Sequence, residues 1–352
     1  FTFTKMFRVI GLGKDPIDWK IVAQNWKAGL DTFISQKTLF KTRPVVGFIH
    51  ALVAWGFSLY LFVNFIDVLY GLIPDFKFLP NHFIGDIYRI FVDIFTVLVL
   101  LGVIYFLIRR FVLKDNRLQT NPPVMVSDSA LKGMRFDSLL VGSFIILHVG
   151  SRFLSASFEI AGSHSDWSQP AANLVAKIWI GMDYNTIIVM EHITWWLALG
   201  LILLFLPYFP YSKHAHLFMG PLNIMATADR KSMAALEKID FEDDDIEQFG
   251  AAQIQHLPQT QLLDGYACIQ CSRCQDACPA YETGKELSPS ALEINKRYFF
   301  NENLDLLAKG ESVDKALTDW MLTEEAAWSC TTCGYCVEVC PVGNEPMVDI
   351  LR

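Results

Sequence analysis

The sequence predicts an all-α protein in two halves, a membrane helix bundle followed by a smaller helical domain. Three observations carry that prediction. Apolar residues make up 52 % of the 352 positions and the mean hydropathy is +0.30, high for a chain wholly in water. Four largely apolar runs stand before Pro210, each with the ~20 residues that a bilayer core of ~30 Å requires. All eight cysteines come later, where the long apolar runs stop and charge rises.

Residues 1–46 read as an amphipathic segment on the cytoplasmic side. The first run, GFIHALVAWGFSLYLFVNFI, begins at Gly47, and the second, IFVDIFTVLVLLGVIYFLI, at Ile90. The third, FDSLLVGSFIILHVGSRFLSASF, begins at Phe136, and the fourth, TIIVMEHITWWLALGLILLFLPYF, at Thr186. Lys37, Lys41 and Arg43 precede the first run, and Arg109, Arg110, Lys114, Arg117, Lys132 and Arg135 lie between the second and third. The other two connections hold little more than Lys77 and Lys177. The positive-inside rule therefore puts the first, third and fifth hydrophilic segments on the cytoplasmic face of the cell inner membrane. The expected division is a membrane domain at 47–225, a linker at 226–260 and a last domain at 261–352. The acidic run Asp240–Gln248 reads as a solvated linker, with a docking patch for a basic partner as the sharper alternative. A net charge of −8 argues against nucleic acid as a partner. In the last domain, SPSALEINKRYFFNENLDLLAKG and SVDKALTDWMLTEEAAWSC read as helices capped by Ser288 and Ser312. The first residue is Phe rather than Met, so further sequence is expected upstream.

The cysteines repeat one spacing twice, at Cys268, Cys271, Cys274, Cys278 and at Cys330, Cys333, Cys336, Cys340, closed by Pro279 and Pro341. Three thiolates at this spacing grip three corners of an iron-sulfur cube, and the fourth corner comes from elsewhere. In two-cluster ferredoxins the fourth cysteine of each run ligates the other cluster. The expected ligand sets are Cys268, Cys271, Cys274 with Cys340, and Cys330, Cys333, Cys336 with Cys278, each holding a 4Fe-4S cluster. Disulfides are disfavoured in a reducing cytoplasm. Structural zinc typically takes four ligands as two pairs, not two quartets each closed by Cys-Pro. The 51 residues between Cys278 and Cys330 exceed a minimal ferredoxin connector and point to an α-helical ferredoxin domain with inserted helices.

Two short stretches look like haem-ligand positions. His50 lies one turn inside the cytoplasmic end of the first helix beside Gly47, Ala51 and Ala54, small residues that leave room for a flat macrocycle. His214 and His216 lie just past the cytoplasmic end of the fourth. Opposed histidines at one depth are what a bis-imidazole haem needs, whereas a lone histidine in an apolar helix is more often a core residue. His148 and His192 are the other histidines within the helices, at depths differing by roughly 9 Å. They read as a possible second haem pair, with a quinone pocket, a proton path or plain packing as the alternatives for His148. Arg89, Asp93, Arg152, Glu159 and Glu191 gather toward the outer side, and an ionisable residue in a membrane helix is a functional candidate by default. Interfacial anchoring is the plainer role for Arg89 and Glu191.

CIQCSRCQDACPAYETGKELSP and WSCTTCGYCVEVCPVGNEP resemble the iron-sulfur modules of the heterodisulfide reductase family, which includes membrane-bound electron-transfer-flavoprotein:menaquinone oxidoreductases. FPYSKHAH and GFIHALVAWGF resemble the haem-bearing helices of the cytochrome b subunit of respiratory nitrate reductase over roughly residues 1 to 225. The second resemblance implies a haem b on His50 and His216, with His214 as the alternative. Five helices are usual in such proteins, so it also implies a fifth upstream of Phe1. Where that family carries its second pair of haem histidines, this chain has Tyr60 and Ala198. Together the resemblances imply a quinone-linked oxidoreductase, as one subunit or fragment of a larger enzyme, with two 4Fe-4S clusters, one or two haem b and menaquinone as substrate. Implied partners are an electron-transferring flavoprotein or a Cys-Cys-Gly-domain iron-sulfur subunit. A heterodisulfide-type subunit that oxidises quinol and reduces a cytoplasmic disulfide is the nearer alternative. A metal-sensing membrane transport protein is the distant one, since the four helices lack the paired broken segments typical of many transporters.

Overall fold

The structure is a computed structural model that describes residues 2–73, 76, 78–79, 82–227, 236, 241–242 and 249–352. Most of the acidic run Asp240–Gln248 therefore lies outside the described residues. Helices dominate: α1 (Thr2–Ile10), α2 (Pro44–Leu72), α3 (Phe83–Leu107), α4 (Asp128–Gly162), α5 (Pro170–Ala176), α6 (Tyr184–Phe205), α7 (His216–Ala226), α8 (Gln259–Ala267), α9 (Pro289–Glu302) and α10 (Pro346–Leu351), with two further helices at Trp19–Gln24 and Trp26–Ser35 and shorter turns between. Among the described residues there is no strand, only an isolated bridge between Lys14 and Pro258.

The chain divides into two compact units, and the division is not linear. Unit one gathers Phe1–Pro44, Lys114–Asp137 and Phe209–Arg352, and unit two gathers Val45–Leu113 and Ser138–Tyr208. Within the segment 1–46, α1 buries one face. Met6, Val9 and Ile10 enter the same core as Leu257, Leu262, Leu263, Leu292 and Phe300. Trp320 stacks on Phe299 with ring centroids 3.8 Å apart. The hydrophilic segments 1–44, 114–137 and 209–352 fold together as unit one.

Ser288 caps α9 as expected, its hydroxyl accepting from the Ala291 amide. The helix expected from Ser312 does not form as one piece. Its sequence breaks into Leu317–Trp320 and Glu324–Trp328, the second capped by Thr323, because the Leu317 amide donates out of the segment to the Ala252 carbonyl.

Unit two is built on the four long helices, each long and apolar enough to cross a membrane. Their outer faces present Leu61, Phe65, Leu101, Leu203 and Leu204 to the surroundings, an exposure that lipid satisfies and water does not. Glycines let α2 and α3 close on each other: a Cβ at Gly56 would strike Val99, and one at Gly102 would strike Val53.

Candidate functional site

The cysteine runs adopt one backbone path twice. Cys268 ends α8, after which Gln270 and Ser272 take left-handed conformations, with φ of 55° and 59°. Thr332 and Gly334 do the same after Cys330, with φ of 55° and 72°. Each pair of reversals folds the chain back between its cysteines. A one-turn helix follows in each run, Arg273–Asp276 and Tyr335–Glu338. Amide to sulfur hydrogen bonds are present at Gln270 to Cys268 (3.4 Å) and Asn344 to Cys340 (3.2 Å).

Cys268, Cys271, Cys274 and Cys340 line one small cavity, shared with Arg273, Glu293 and Pro341. Cys278 has Cys330 and Cys333 as electrostatic neighbours, and Cys336 has Cys278, Cys330 and Cys333. The structure therefore gathers three cysteines of each run with the last cysteine of the other. Cys274 also feels Cys336, so the two groups adjoin. None of the eight is in a disulfide. Burial pushes the Cys268 and Cys336 thiols up to about 12, and Cys274 and Cys340 well above their usual range. Thiols so placed hold their protons until a metal displaces them. Four sulfurs per group at this spacing fit the donor set of a 4Fe-4S cluster.

Behind the first group lies a buried set of charges. Lys296 is fully buried, 2.5 Å from Asp349 and 3.1 Å from Glu293, and donates to the Gln261 carbonyl. Asp264, Glu293 and Asp349 could in geometry hold a metal, but the Lys296 ammonium already supplies the cation. Asp264 accepts from Asn223 and from the Glu345 amide, and burial pushes its carboxyl up to about 8.

In unit two the expected outer group lines one cavity of about 480 Å³ that includes Arg89, Asp93, Arg152, Glu159 and Glu191. Arg152 is held by Asp67 at 2.7 Å. Asp93 is occupied structurally: its oxygens accept from the Ala171 and Ala172 amides at 2.7 and 3.0 Å, capping α5 from another helix. Arg89 is tied to Asp86, Asp166 and Ser168. Tyr60, which bonds Thr96 at 2.6 Å, and Tyr88 complete the polar wall. Asp67 escaped the sequence reading because it follows the last residue of the first apolar run. The signal was a carboxylate within one turn of that run's end.

The histidines separate. His148 is buried, with its Nδ1 at 2.9 Å from the Ala198 carbonyl and its Nε2 at 3.3 Å from Asn64. His192 is exposed and bonds back to the Ile188 carbonyl on its own helix. His148 and His192 therefore take different hydrogen-bond partners. His50, on α2 in unit two, meets the edge of Phe106. His216 opens α7 in unit one, its Nδ1 2.6 Å from the Lys213 carbonyl. That bond puts the proton on Nδ1 and makes Nε2 the basic nitrogen, as an imidazole ligand requires.

Two adjoining groups of four cysteines, in a chain that also has four helices long and apolar enough to cross a membrane, define an iron-sulfur protein with membrane-capable helices. Residues 264–344 match the 4Fe-4S dicluster domain family. The chain is 32 % identical over 351 residues to the probable iron-sulfur-binding oxidoreductase FadF of Bacillus subtilis, covering 90 % of this chain and 47 % of that one. It is 26 % identical over 383 residues to the EtfAB:quinone oxidoreductase of Syntrophomonas wolfei, covering 100 % and 51 %. A probable membrane-anchored ferredoxin of Chromohalobacter salexigens is 30 % identical over 136 residues, covering 33 % and 20 %. No solved structure matches. The chain thus carries a 4Fe-4S dicluster segment and is similar to an iron-sulfur-binding oxidoreductase and to an EtfAB:quinone oxidoreductase. It spans about half the length of the first two relatives.

Proposed function

We propose that the chain passes electrons between a cytoplasmic donor and menaquinone in the inner membrane, as part of a respiratory chain. The donor is an electron-transferring flavoprotein or an iron-sulfur subunit with Cys-Cys-Gly domains. The observation that carries this reading is the adjacency of the two cysteine groups in a chain that also holds a polar cavity among apolar membrane helices. Each group holds a 4Fe-4S cluster, and His50 with His216 is the axial pair of a haem b. When bound, these centres supply one-electron transfer, while the protein supplies ligands, burial and spacing.

The ferredoxin unit faces the cytoplasm, a placement supported by the positive residues of the first and third hydrophilic segments. The cavity of Arg152, Asp67, Tyr60 and Tyr88 receives the quinone head group. Arg152 and the tyrosines offer donors to its carbonyl oxygens, and Glu159 and Glu191 offer a proton route at the rim. Asp93 and Arg89 shape that cavity and hold its wall.

One preparation of the full chain tests the reading. Iron and sulfide analysis should give two 4Fe-4S centres by low-temperature EPR, and Cys274→Ser should remove one and leave the other. His50→Ala and His216→Ala should each lower haem content while His214→Ala leaves it. A preparation without iron, or haem retained in both His50→Ala and His216→Ala, would overturn the corresponding part. Failure of a menaquinone analogue to reoxidise the reduced centres would remove the quinone assignment.

A further inference from the structure

Two guanidiniums beside the first cysteine group are buried with only neutral partners. Arg297 is 1 % exposed, and donates to the Cys268 carbonyl and the Ser212 carbonyl, each at 2.9 Å. Arg273 is 5 % exposed, and donates to the Thr42 hydroxyl at 3.0 Å and the Leu39 carbonyl at 3.3 Å. No carboxylate pairs with either among the described residues. Arg43, the third buried guanidinium there, donates to the Cys271 carbonyl but is neutralised by Asp276. A guanidinium does not shed its proton when buried, and leaving such a charge uncompensated costs several kcal/mol. The missing counter-charge must therefore be close by and negative.

One candidate is Glu293, which lines the same cavity as the four cysteines, but its carboxylate faces Lys296. The remaining source is the site itself. A 4Fe-4S centre with four thiolates carries net negative charge, and it becomes more negative on reduction. The second group is differently placed: Cys278, Cys330 and Cys336 have one another and the exposed Cys333 as their neighbours.

We propose that Arg273 and Arg297 are the built-in counter-charges of the cluster held by Cys268, Cys271, Cys274 and Cys340. They favour its reduced state and so raise its potential. This inference rests on 4Fe-4S occupancy of that group and not on the quinone or the donor. Both arginines act through the cluster's field and its ligand loop, which makes them positioning residues that set a potential rather than groups that touch a substrate. Buried charges act strongly because little water screens them.

The test is a redox titration of the purified full chain, followed by low-temperature EPR, with iron content measured alongside. Arg297→Gln and Arg273→Gln should each move one of the two centres to lower potential and leave the other in place. Arg297→Lys, which keeps the charge, should restore most of the shift. The moving centre should be the one that Cys274→Ser abolishes. Unchanged potentials in both Arg→Gln variants with iron retained would overturn the proposal, as would equal shifts of both centres. If Arg297→Gln loses iron, Arg273→Gln decides by whether it moves that centre to lower potential. A wild-type chain without 4Fe-4S signals would instead remove the cluster reading on which this one stands.

Discussion

The two units treat buried charge in opposite ways. Unit one seals it: Lys296, Asp349, Glu293 and Asp264 lie within a dense core, their ammonium and carboxylates turned on one another. Unit two keeps its charges at a cavity of about 480 Å³, where Arg152 and Asp67 meet a space wide enough for a guest. A sealed charge can only set a field or hold a fold, and a charge on a cavity can also bind and exchange. The difference suits a domain that holds fixed redox centres and a domain that meets a mobile, proton-carrying substrate.

That contrast is broken most severely by removing the sealed cation. Lys296→Met leaves three buried carboxylates without their ammonium, and should destabilise unit one by about 3–5 kcal/mol. Chemical denaturation followed by loss of cluster absorbance would show it. A change under about 1 kcal/mol would mean that the carboxylates simply protonate.

The cavity is probed by Arg152→Gln and Asp67→Asn. Loss of a charged hydrogen bond should weaken binding of a menaquinone analogue roughly 10- to 100-fold, read by equilibrium titration, with iron content unchanged. Asp93→Asn should affect binding less, because that side chain caps α5 rather than facing a guest. Equal weakening by all three would place Asp93 among the binding groups.

A pH profile sharpens the sealed side. Burial raises Asp264 from an ordinary carboxyl to about 8, so the folded state keeps a proton that the unfolded chain sheds near pH 4. Stability should therefore fall as pH rises from about 4 to about 8, by at most about 1.4 kcal/mol per pH unit from this group. Thermal unfolding of Asp264→Asn across that range should show a flatter profile. A slope identical to wild type would assign the pH dependence to another group.

The smallest effect is expected at the surface. Lys41 and Glu338 lie 3.2 Å apart with side chains more than half exposed, and Lys41→Ala should leave the unfolding midpoint within error. A drop comparable to that of Lys296→Met would show that the exposed pair is coupled to the neighbouring cysteine loop.

The sequence by itself determined the four long helices and the two cysteine runs, because both are local signals. An apolar stretch of membrane length needs no partner to be recognised, and a Cys spacing repeats along the chain before it repeats in space. It also contained the cap of α9, a contact that spans three residues. Tertiary structure alone decided the rest. It folded 1–44, 114–137 and 209–352 into one unit, since α1 hides its apolar face only in a core made by residues more than 200 positions away. It made Asp93 the cap of α5, set Asp67 beside Arg152, and gave His148 and His192 different partners. Each outcome depends on where a side chain points and on which distant group meets it. Burial then gives that meeting its energy, and no local pattern along the chain encodes it.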